Sequence, residues 1–262
     1  MNKHLSTIIS AAIEAGKVIL EVYNTDFNVE FKDDKSPLTL ADQKAHEVIM
    51  SFLKGTGIPV LSEEGRSIPF EERKNWNQLW VVDPLDGTKE FVKRNDEFTV
   101  NIALVQNGVP IMGVVYAPVL DTLYVGDKQQ GAFRVQKALT KENLIDQLTI
   151  GNRLPLNIDK DYYGIVASRS HLNDETTQFI EEIKKSNKNV KIVSKGSSLK
   201  LCMVAEGSAD IYPRFAPTME WDTAAGDAVV RASGGKTLIA NTNNYLQYNK
   251  EDLLNPWFIV KR

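Results

Sequence analysis

The sequence predicts a mixed α+β and α/β fold in two parts, an antiparallel sheet in the first half and a smaller α/β second half. Residues 98–135 hold short alternating apolar segments with turn signals between them, a pattern typical of antiparallel hairpins. Residues 165–260 instead alternate short apolar strands with helical patterns. The intervening stretch 137–153 is polar and poorly patterned, so we expect domains over residues 1–150 and 151–262.

The individual elements follow from the spacing of apolar residues. A period near 3.6 indicates a helix, and alternation or a short apolar run indicates a strand. The predicted helices cover residues 5–23, 39–53, 173–185, 197–206 and 222–233. The predicted strands cover residues 27–31, 59–61, 79–82, 98–104, 111–116, 123–125, 132–135, 165–167, 190–193, 211–212, 237–239 and 257–260. Glycines after the second and the last helix supply their stop signals.

Composition and charge exclude several classes of protein. The chain has 262 residues, 42% of them hydrophobic, which is enough for a substantial core. The net charge is −3 and the basic residues are scattered, so the sequence lacks the basic surface expected of a nucleic-acid-binding protein. The single cysteine, Cys202, excludes an internal disulfide and a Cys/His metal site.

The N-terminal pattern and the cysteine count together bear on location. The apolar positions of residues 5–23 form one face of an amphipathic helix, which is neither a signal peptide nor a transmembrane segment. A single cysteine is typical of a reducing compartment. We therefore predict a cytoplasmic protein. Peripheral contact with the inner face of the membrane stays open, and so does the choice between a monomer and a homodimer.

The stretch Asp83-Pro84-Leu85-Asp86-Gly87-Thr88 is the strongest candidate for a functional site. Residues 79–82 form an apolar run without alternation, which indicates a strand buried on both faces. Pro84 lacks a backbone donor, so we expect the strand ladder to stop there, and Gly87 permits a turn that few other residues allow. A buried strand that ends in two aspartates needs an explanation.

Two explanations fit this turn. The Asp83 and Asp86 carboxylates, the Leu85 carbonyl and the Thr88 hydroxyl would together form an all-oxygen donor set, which a hard cation such as Mg²⁺ prefers. The alternative is an Asx-type turn, in which the aspartate side chains accept hydrogen bonds from nearby backbone amides. For an isolated motif the Asx turn is the better interpretation, so the metal site needs further acids.

Further acids occur in three places, each with a structural alternative. Glu63 and Glu64 follow the strand 59–61, so two strands deliver carboxylates at their C-terminal ends, where open sheets commonly build sites; the alternative is a solvated loop. Asp42 stands three residues after Thr39, where it could be the acid of a capping box. Asp222 heads the predicted helix 222–233, where it could be an N-cap acid stabilised by the helix dipole.

Taken together, the acidic motifs resemble a known family. Glu64, the stretch from Asp83 to Thr88, and Trp221-Asp222 resemble the signature motifs of the inositol monophosphatase superfamily of lithium-sensitive, magnesium-dependent phosphatases. The match runs in order along nearly the whole chain. Within the superfamily, four segments resemble the CysQ-type 3′(2′),5′-bisphosphate nucleotidase branch: Lys89-Glu90-Phe91, the stretch that follows from Asn95 to Leu104, Ser168-Arg169-Ser170-His171 and Gly196-Ser197-Ser198-Leu199-Lys200.

The resemblance implies a layered αβαβα fold with the site between the two halves, and two Mg²⁺ ions, a third being left open. Glu64, Asp83 and the Leu85 carbonyl would hold one ion. Asp83, Asp86 and Asp222 would hold the second. Asp42 would help to order the nucleophilic water, often with a further, weaker metal, and Thr88 would share that task with Glu64 or Asp42. Two cations about 4 Å apart can activate a bridging water and stabilise the leaving oxygen.

For the substrate, the resemblance implies removal of the 3′-phosphate of 3′-phosphoadenosine 5′-phosphate to give AMP and phosphate, with its sulfated precursor as a related substrate. The second phosphate would meet Ser197, Lys200 and Arg214, and His171 would lie near the base or ribose. Each has a structural alternative: Lys200 and Arg214 as solvated charges, Ser197 as a helix N-cap and His171 as part of a polar turn. The full substrate-contact set implied is Glu64, Leu85, Asp86, Gly87, Thr88, His171, Ser197, Lys200, Arg214 and Asp222.

Two alternative functions stay open. The same metal chemistry could act on inositol phosphate or a sugar bisphosphate, although a Lys200 and Arg214 pair favours a substrate with two phosphates. A nucleotide-binding module without catalysis would bind but not turn over. A P-loop is excluded, because the glycine that this motif requires before Gly235-Lys236-Thr237 is replaced by Val230.

Overall fold

The structure is a computed structural model that describes residues 3–25, 37–141, 143–149, 152–167 and 173–262. The predicted strand 27–31 and the candidate substrate contact His171 lie outside the described residues. Among the described residues, no helix is both long enough and apolar enough to cross a bilayer.

The first sheet is built from the first half of the chain. Its six strands lie in sequence order: β1 (Val60–Ser62), β2 (Gln78–Asp86), β3 (Thr99–Gln106), β4 (Val109–Ala117), β5 (Thr122–Asp127) and β6 (Gly131–Gln136). β1 pairs with β2 in parallel, and the remaining pairs are antiparallel. Asn107 and Gly108 both have positive φ in the β3–β4 turn, as a tight hairpin requires. The predicted antiparallel sheet is confirmed, with one parallel strand at its edge.

The second sheet comes from the second half and is mixed. Its strands are β7 (Tyr163–Ala167), β8 (Val190–Ser194), β9 (Ile211–Arg214), β10 (Lys236–Ile239) and β11 (Phe258–Lys261). They lie in the order β10-β11-β9-β7-β8. β9, β7 and β8 are parallel, whereas β11 and β10 add antiparallel strands to one side. Crossover helices between the parallel strands give this half its α/β character.

Seven α-helices occur in the described part of the chain: α1 (Lys3–Tyr23), α2 (Pro37–Leu53), α3 (Phe70–Arg73), α4 (Thr88–Val92), α5 (Asp174–Ser186), α6 (Leu199–Glu206) and α7 (Glu220–Ala232). Short 3₁₀ turns cover Lys54–Thr56, Ala138–Thr140 and Ile145–Gln147. The periodicity predicts the five long helices within a few residues. The short helices α3 and α4 have too few turns to show a period and were not predicted.

The elements stack in five layers. α1 and α2 cover one face of the first sheet, where Ile8 and Ile49 pack against Val82 and Ile102 in one buried cluster. α6 and α7 lie between the two sheets. α5 covers the far face of the second sheet, where Ile180 packs against β7 and β9. The αβαβα order implied by the resemblance is thus confirmed.

The middle layer joins the two halves. Apolar side chains of β2, α7 and β11 share one cluster, including Val81, Val229 and Phe258. α7 approaches the first sheet so closely that a Cβ on Gly113 of β4 would lie 2.6 Å from the Ala225 carbonyl oxygen. The two sheets divide near residue 150, but they share a core through α7, so the division into independent domains stays a prediction.

β2 differs from the prediction at its end. The ladder does not stop at Pro84: Asp83 pairs with Asn101, and pairing resumes with Asp86 opposite Thr99 after a register shift. Three steps along β2 therefore match two steps along β3, which is a β-bulge. The missing donor of Pro84 interrupts the ladder locally without ending it. The bulge keeps both aspartates on the strand that carries them.

Candidate active site

The first acid pair comes from two neighbouring parallel strands. Ser62 of β1 pairs with Val82 of β2, so Glu63, the first residue after β1, lies beside Asp83, which is still part of β2. The Glu63 N–H donates to the Val82 carbonyl at 3.1 Å, which continues the ladder by one step. A turn follows at once, closed by the Gly65 N–H on the Ser62 carbonyl at 3.1 Å. Glu63 is therefore held beside Asp83.

Asp222 completes a cluster of three acids. One carboxylate oxygen from each of Glu63, Asp83 and Asp222 lies within 4.8 Å of the other two. The sequence names Glu64 for the first of these positions, whereas the structure brings in its neighbour, Glu63. The reason is the strand register, which the sequence of two adjacent glutamates does not reveal. Asp86 lies outside this tight group of three.

Asp83 is the buried centre of the cluster. Its side chain is 1% exposed, and its Oδ1 accepts a hydrogen bond from the Leu85 N–H at 3.0 Å. The Asx-turn alternative is therefore correct for this oxygen, and the cluster exists beside it. Burial raises the pKa of Asp83 well above its ordinary value, and the charges of Asp86, Glu63 and Asp222 raise it further. A buried acid among other acids requires protons or a cation.

Asp222 has two roles in the geometry. Its Oδ2 accepts the Met219 N–H at 2.9 Å, so it caps the N-terminus of α7 from the third helical position. The N-cap alternative is therefore wrong in position: Met219 is the N-cap of a helix that begins at Glu220, and Asp222 acts on it as a capping-box acid. Burial and the charge of Asp86 raise the pKa of Asp222 to about 7. The hydrogen bond from the Met219 N–H acts to lower this pKa, but it offsets only part of the increase.

Asp86 is held by polar side chains from two parts of the chain. Its Oδ2 lies 3.0 Å from Ser198 Oγ and accepts from Asn101 Nδ2 at 3.3 Å. Gly87 follows with φ of 98°, a conformation that favours glycine, and precedes α4. Thr88 is the first residue of α4 and is exposed. The turn thus presents the Thr88 side chain to solvent, next to the acids.

Asp42 lies near the second glutamate. α2 begins at Pro37, so Thr39 lies inside the helix and Asp42 is in its second turn, beyond the predicted capping-box position. Asp42 is 7% exposed, and its Oδ1 has no hydrogen-bond partner among the described residues. Burial raises the pKa of Asp42 to about 8, and the charge of Glu64 contributes more than that of Glu63. An unpartnered buried carboxylate oxygen is costly unless something binds it.

This donor set could hold a divalent cation. All its members are carboxylates, which hard cations such as Mg²⁺ prefer. Burial and mutual repulsion raise the pKa of Asp42, Asp83 and Asp222, and a cation would remove that repulsion. Asp42 Oδ1, which has no hydrogen-bond partner in the described part of the chain, gives independent support for a bound partner. The residues present therefore fit the metal that the resemblance implies.

A basic pocket adjoins the acids. Its lining includes Asp86, Gly87, Lys89 and Glu90 from the first half and a group of residues from the second half: Lys195, Gly196, Ser197, Lys200, Arg214 and Asp222. The structure therefore brings Ser197, Lys200 and Arg214 together beside the aspartate turn, as predicted. Whether they contact a substrate stays a prediction.

The structural alternatives for the pocket residues can be compared with the geometry. Lys200 is not a solvated surface charge: it is 8% exposed, and its Nζ donates to the Ser197 carbonyl at 2.6 Å. Burial lowers its pKa to about 8, although the charge of Asp86 opposes this. Ser197 is not the N-cap of α6, since Ser198 occupies that position. Arg214 donates to Thr218 Oγ1 at 2.8 Å and to the Pro217 carbonyl at 2.9 Å.

Three residues near the site were not predicted. Glu97, Thr99 and Asn101 are buried and reach the loop that carries Ser197. The pattern that predicted β3 used the even, apolar positions. The odd positions carried a usable signal, because polar residues at every second position of an otherwise apolar strand indicate a face with polar partners.

Comparisons with known proteins extend this picture. The model of the inositol monophosphatase family matches residues 1–260. The 3′(2′),5′-bisphosphate nucleotidase CysQ of Salmonella typhimurium is 43% identical over 267 residues, covering 98% of this chain and 98% of that protein. Its counterpart of the same name in Buchnera aphidicola is 42% identical over 263 residues, covering 98% and 92%.

Solved structures agree. The crystal structure of CysQ from Bacteroides thetaiotaomicron superposes with a TM-score of 0.93 at 51% identity, covering 98% of this chain and 96% of that one. An inositol monophosphatase from Zymomonas mobilis has a TM-score of 0.74 at 19% identity, with 98% and 92% covered, which shows a shared fold. The resemblance drawn from the motifs is confirmed, and the chain belongs to the inositol monophosphatase family.

Proposed function

We propose that this protein is a Mg²⁺-dependent phosphatase that removes the 3′-phosphate of 3′-phosphoadenosine 5′-phosphate to give AMP and phosphate. One observation carries the proposal: an acid cluster suited to cations adjoins a pocket whose lining includes four basic side chains, Lys200 and Arg214 among them. Such a site matches a substrate with one phosphate to be cleaved and a second to be held. The names of the 42% and 43% identical relatives support this substrate class.

The acids would hold two Mg²⁺ ions. Glu63, Asp83 and the Leu85 carbonyl would hold one ion, with Glu63 in place of the Glu64 named from the sequence. Asp83, Asp86 and Asp222 would hold the second. A third ion would lie near Asp42 and Glu64, where one Asp42 carboxylate oxygen has no hydrogen-bond partner among residues that the structure describes. When bound, such ions lower the pKa of a water molecule and neutralise charge on the phosphoryl group.

The chain's own groups would orient the nucleophilic water. The Thr88 hydroxyl can both donate and accept a hydrogen bond, and it stands at the start of α4, next to the aspartate turn. Asp42 and Glu64 supply carboxylate oxygens that can accept a proton from that water. Phosphoryl transfer depends mostly on positioning and on charge neutralisation, so these contacts need to be well aligned rather than strongly basic.

The second half would hold the 5′-phosphate. Lys200 places a buried ammonium beside the Ser197 carbonyl, and Arg214 offers a planar guanidinium of the kind that binds phosphate in two places. Ser197 would add a hydroxyl. His171 is proposed near the base or ribose, on the resemblance alone. This second-phosphate site is the reason to prefer a bisphosphate over inositol 1-phosphate.

Steady-state hydrolysis tests the proposal. We expect the highest kcat/KM for 3′-phosphoadenosine 5′-phosphate when it is compared with inositol 1-phosphate and fructose 1,6-bisphosphate, at saturating Mg²⁺. The sulfated nucleotide would be measured in parallel as a related substrate. If the nucleotide were the poorest of these substrates, the proposed substrate class would be wrong. Tight nucleotide binding without turnover would instead favour a binding module.

We further propose that the protein acts in the cytoplasm. Its Cys202 thiol is buried in α6, so the reducing environment predicted from the cysteine count is compatible with the fold.

A further inference from the structure

Three polar side chains lie in a row at the start of β3. The first of them, Glu97, comes two residues before the strand begins. Glu97, Thr99 and Asn101 alternate with Phe98 and Val100. Alternate residues of an extended chain face the same side, and the apolar ones lie in the core beneath α1 and α2. The three polar side chains are therefore on the face that looks toward the second half. Because this face becomes apolar further along the strand, the polar residues need partners where they stand.

Their partners are consecutive residues of the loop before α6. Glu97 Oε2 accepts the Gly196 N–H at 2.9 Å, and Glu97 Oε1 lies 3.0 Å from Lys195 Nζ. Thr99 Oγ1 lies 2.7 Å from Ser197 Oγ. The next residue of the loop is paired in the same way: Asn101 Nδ2 donates to Ser198 Oγ at 2.9 Å. We call residues 195–198 the docking loop.

The docking loop has little freedom to move. A Cβ on Gly196 would lie 2.6 Å from Glu90 Cγ and 2.8 Å from the Glu97 carbonyl oxygen, so the backbone passes at contact distance. Ser197 has φ of 47°, a left-handed conformation that costs energy for a residue with a side chain. Such a conformation persists where surrounding contacts enforce it, and the Thr99 hydroxyl is one of those contacts.

Each end of the docking loop touches a different part of the site. At one end, Ser198 Oγ lies 3.0 Å from Asp86 Oδ2 and 2.7 Å from the Asp222 carbonyl oxygen, and its single proton can serve one of them at a time. Asn101 Nδ2 also reaches Asp86 Oδ2, at 3.3 Å. At the other end, Lys195 and Gly196 line the basic pocket, and Lys200 donates to Ser197.

We propose that Glu97, Thr99 and Asn101 are positioning residues, and that each of them positions a different part of the site. Asn101 orients the Asp86 carboxylate for the cation, Glu97 orients the Lys195-Gly196 backbone for the second phosphate, and Thr99 couples the two. The second part of this proposal rests on the proposed function. The first part depends only on cation binding by the acids.

The division follows from what each contact fixes. A carboxylate that has lost its orienting hydrogen bond can rotate, and loss of such an outer partner typically weakens metal binding by about 10- to 100-fold. Glu97 contacts the backbone of the pocket instead, because it accepts the Gly196 N–H. Its removal should therefore alter the binding of the distant phosphate and leave the cation affinity near the wild-type value.

The first experiment measures cation binding without nucleotide. Isothermal titration of Mg²⁺ into the full chain compares wild type with Asn101→Leu, Thr99→Val and Glu97→Leu, with circular dichroism as the check on folding. Gln106→Leu, at the exposed far end of β3, is the matched control. We expect Asn101→Leu to bind Mg²⁺ about 10- to 100-fold more weakly, and Glu97→Leu and Gln106→Leu to bind like wild type. Wild-type affinity in Asn101→Leu would overturn the first part.

The second experiment measures binding of the nucleotide in Ca²⁺, with adenosine 3′,5′-bisphosphate and adenosine 3′-monophosphate compared. Glu97→Leu should weaken binding of the bisphosphate roughly tenfold and leave the monophosphate unchanged, and Glu97→Gln, which keeps an acceptor for the Gly196 N–H, should restore most of the loss. Equal losses for both nucleotides would overturn the second part.

Conservative variants keep both parts falsifiable. Thr99→Ser keeps the hydroxyl, so it should restore the Mg²⁺ affinity or bisphosphate affinity that Thr99→Val loses. If Asn101→Leu does not fold, Asn101→Asp takes its place, since it keeps the size and replaces the donor with an acceptor. If wild type itself bound no nucleotide, the proposed function would fail, and the Mg²⁺ titration would still decide the role of Asn101.

Discussion

Glu63 and Asp83 lie side by side at the end of β1 and within the parallel strand β2, because Ser62 of β1 pairs with Val82 of β2. The pairing matters because it selects one of two adjacent glutamates. Asp83 gains a charged neighbour at its own level in the sheet, and Asp222 joins them from the head of α7. Glu64 lies one residue further into the turn, where its charge acts on Asp42 instead.

The two glutamates should therefore differ on substitution. We expect Glu63→Gln to weaken Mg²⁺ binding by at least about tenfold and to reduce turnover, because it removes a charge from the three-acid cluster. Glu64→Gln removes the same charge from outside that cluster, and we expect it to weaken Mg²⁺ binding less than Glu63→Gln does. Isothermal titration of Mg²⁺ measures this directly. A larger loss of affinity in Glu64→Gln would restore the original sequence-based choice.

Asp83→Asn separates a catalytic role from a structural one. Asparagine keeps an oxygen that can accept the Leu85 N–H, so the turn should survive. We expect turnover to fall by more than about 100-fold, and the metal-free protein to become more heat-stable at neutral pH because folding no longer requires a buried acid to take up a proton.

Asp127→Asn provides the comparison for Asp83. Asp127 is also buried, and it accepts two backbone N–H groups in the β5–β6 turn, away from the acids. Asparagine accepts the same two N–H groups through an uncharged, weaker oxygen, so the Asp127→Asn variant should lose a little stability and keep its turnover per folded molecule. A large drop in the melting temperature of metal-free Asp83→Asn would show that the Asx turn, and not a cation, explains this residue.

The metal-free protein should lose stability as the pH rises. Asp42 and Asp222 have ordinary pKa values of 3.8, which burial and neighbouring charges raise to about 8 and about 7 in the folded protein. Between these limits the folded state binds more protons than the unfolded state, so the free energy of unfolding falls with increasing pH. The contribution is fully present below pH 3.8 and is lost by about pH 8.

Thermal melts in a chelator, from about pH 5 to about pH 9, measure this slope. Added Mg²⁺ should raise the melting temperature most at the alkaline end, where the acids are charged. Asp42→Asn and Asp222→Asn should each flatten the metal-free curve, and Asp159→Asn, at an exposed position, should leave it unchanged. A metal-free stability that rose over this range would contradict the repulsion inferred among the acids.

Much of the fold follows from local pattern, and its exceptions have physical causes. The long helices and the β3–β6 meander have periods that their own residues reveal. The strand end predicted from Pro84 is wrong, because a bulge lets β2 resume pairing at Asp86 after a register shift. α3 is missed because its four residues, Phe70–Arg73, contain too little chain for a period.

The candidate site is predicted less completely, because its details depend on distant pairs. The acid types and the Asp83-Pro84-Leu85-Asp86 turn are visible in the sequence. The choice between Glu63 and Glu64 depends on strand register, which no local pattern encodes. Asn101 is likewise 97 positions from Ser198, the residue that explains its burial.

Lys200 provides a test of the second-phosphate site through pH. Burial lowers its pKa to about 8, so the free protein carries this charge below that pH and loses it above. We expect kcat/KM for adenosine 3′,5′-bisphosphate to fall above about pH 8, relative to kcat/KM for adenosine 3′-monophosphate. The ratio of the two cancels any pH effect on the cleavage step that both substrates share.

Substitutions then assign the effect to this side chain. Lys200→Met should lower the ratio of kcat/KM for the bisphosphate to kcat/KM for the monophosphate at least tenfold near pH 7, because a charge-assisted phosphate contact contributes about 1.5–3 kcal/mol. The same substitution should abolish the decline of this ratio with pH. Lys191→Met, at an exposed position of β8, removes the same charge away from the pocket and should change neither. A decline that persisted in Lys200→Met would assign the titration to another group and leave Lys200 as a structural partner of the Ser197 carbonyl.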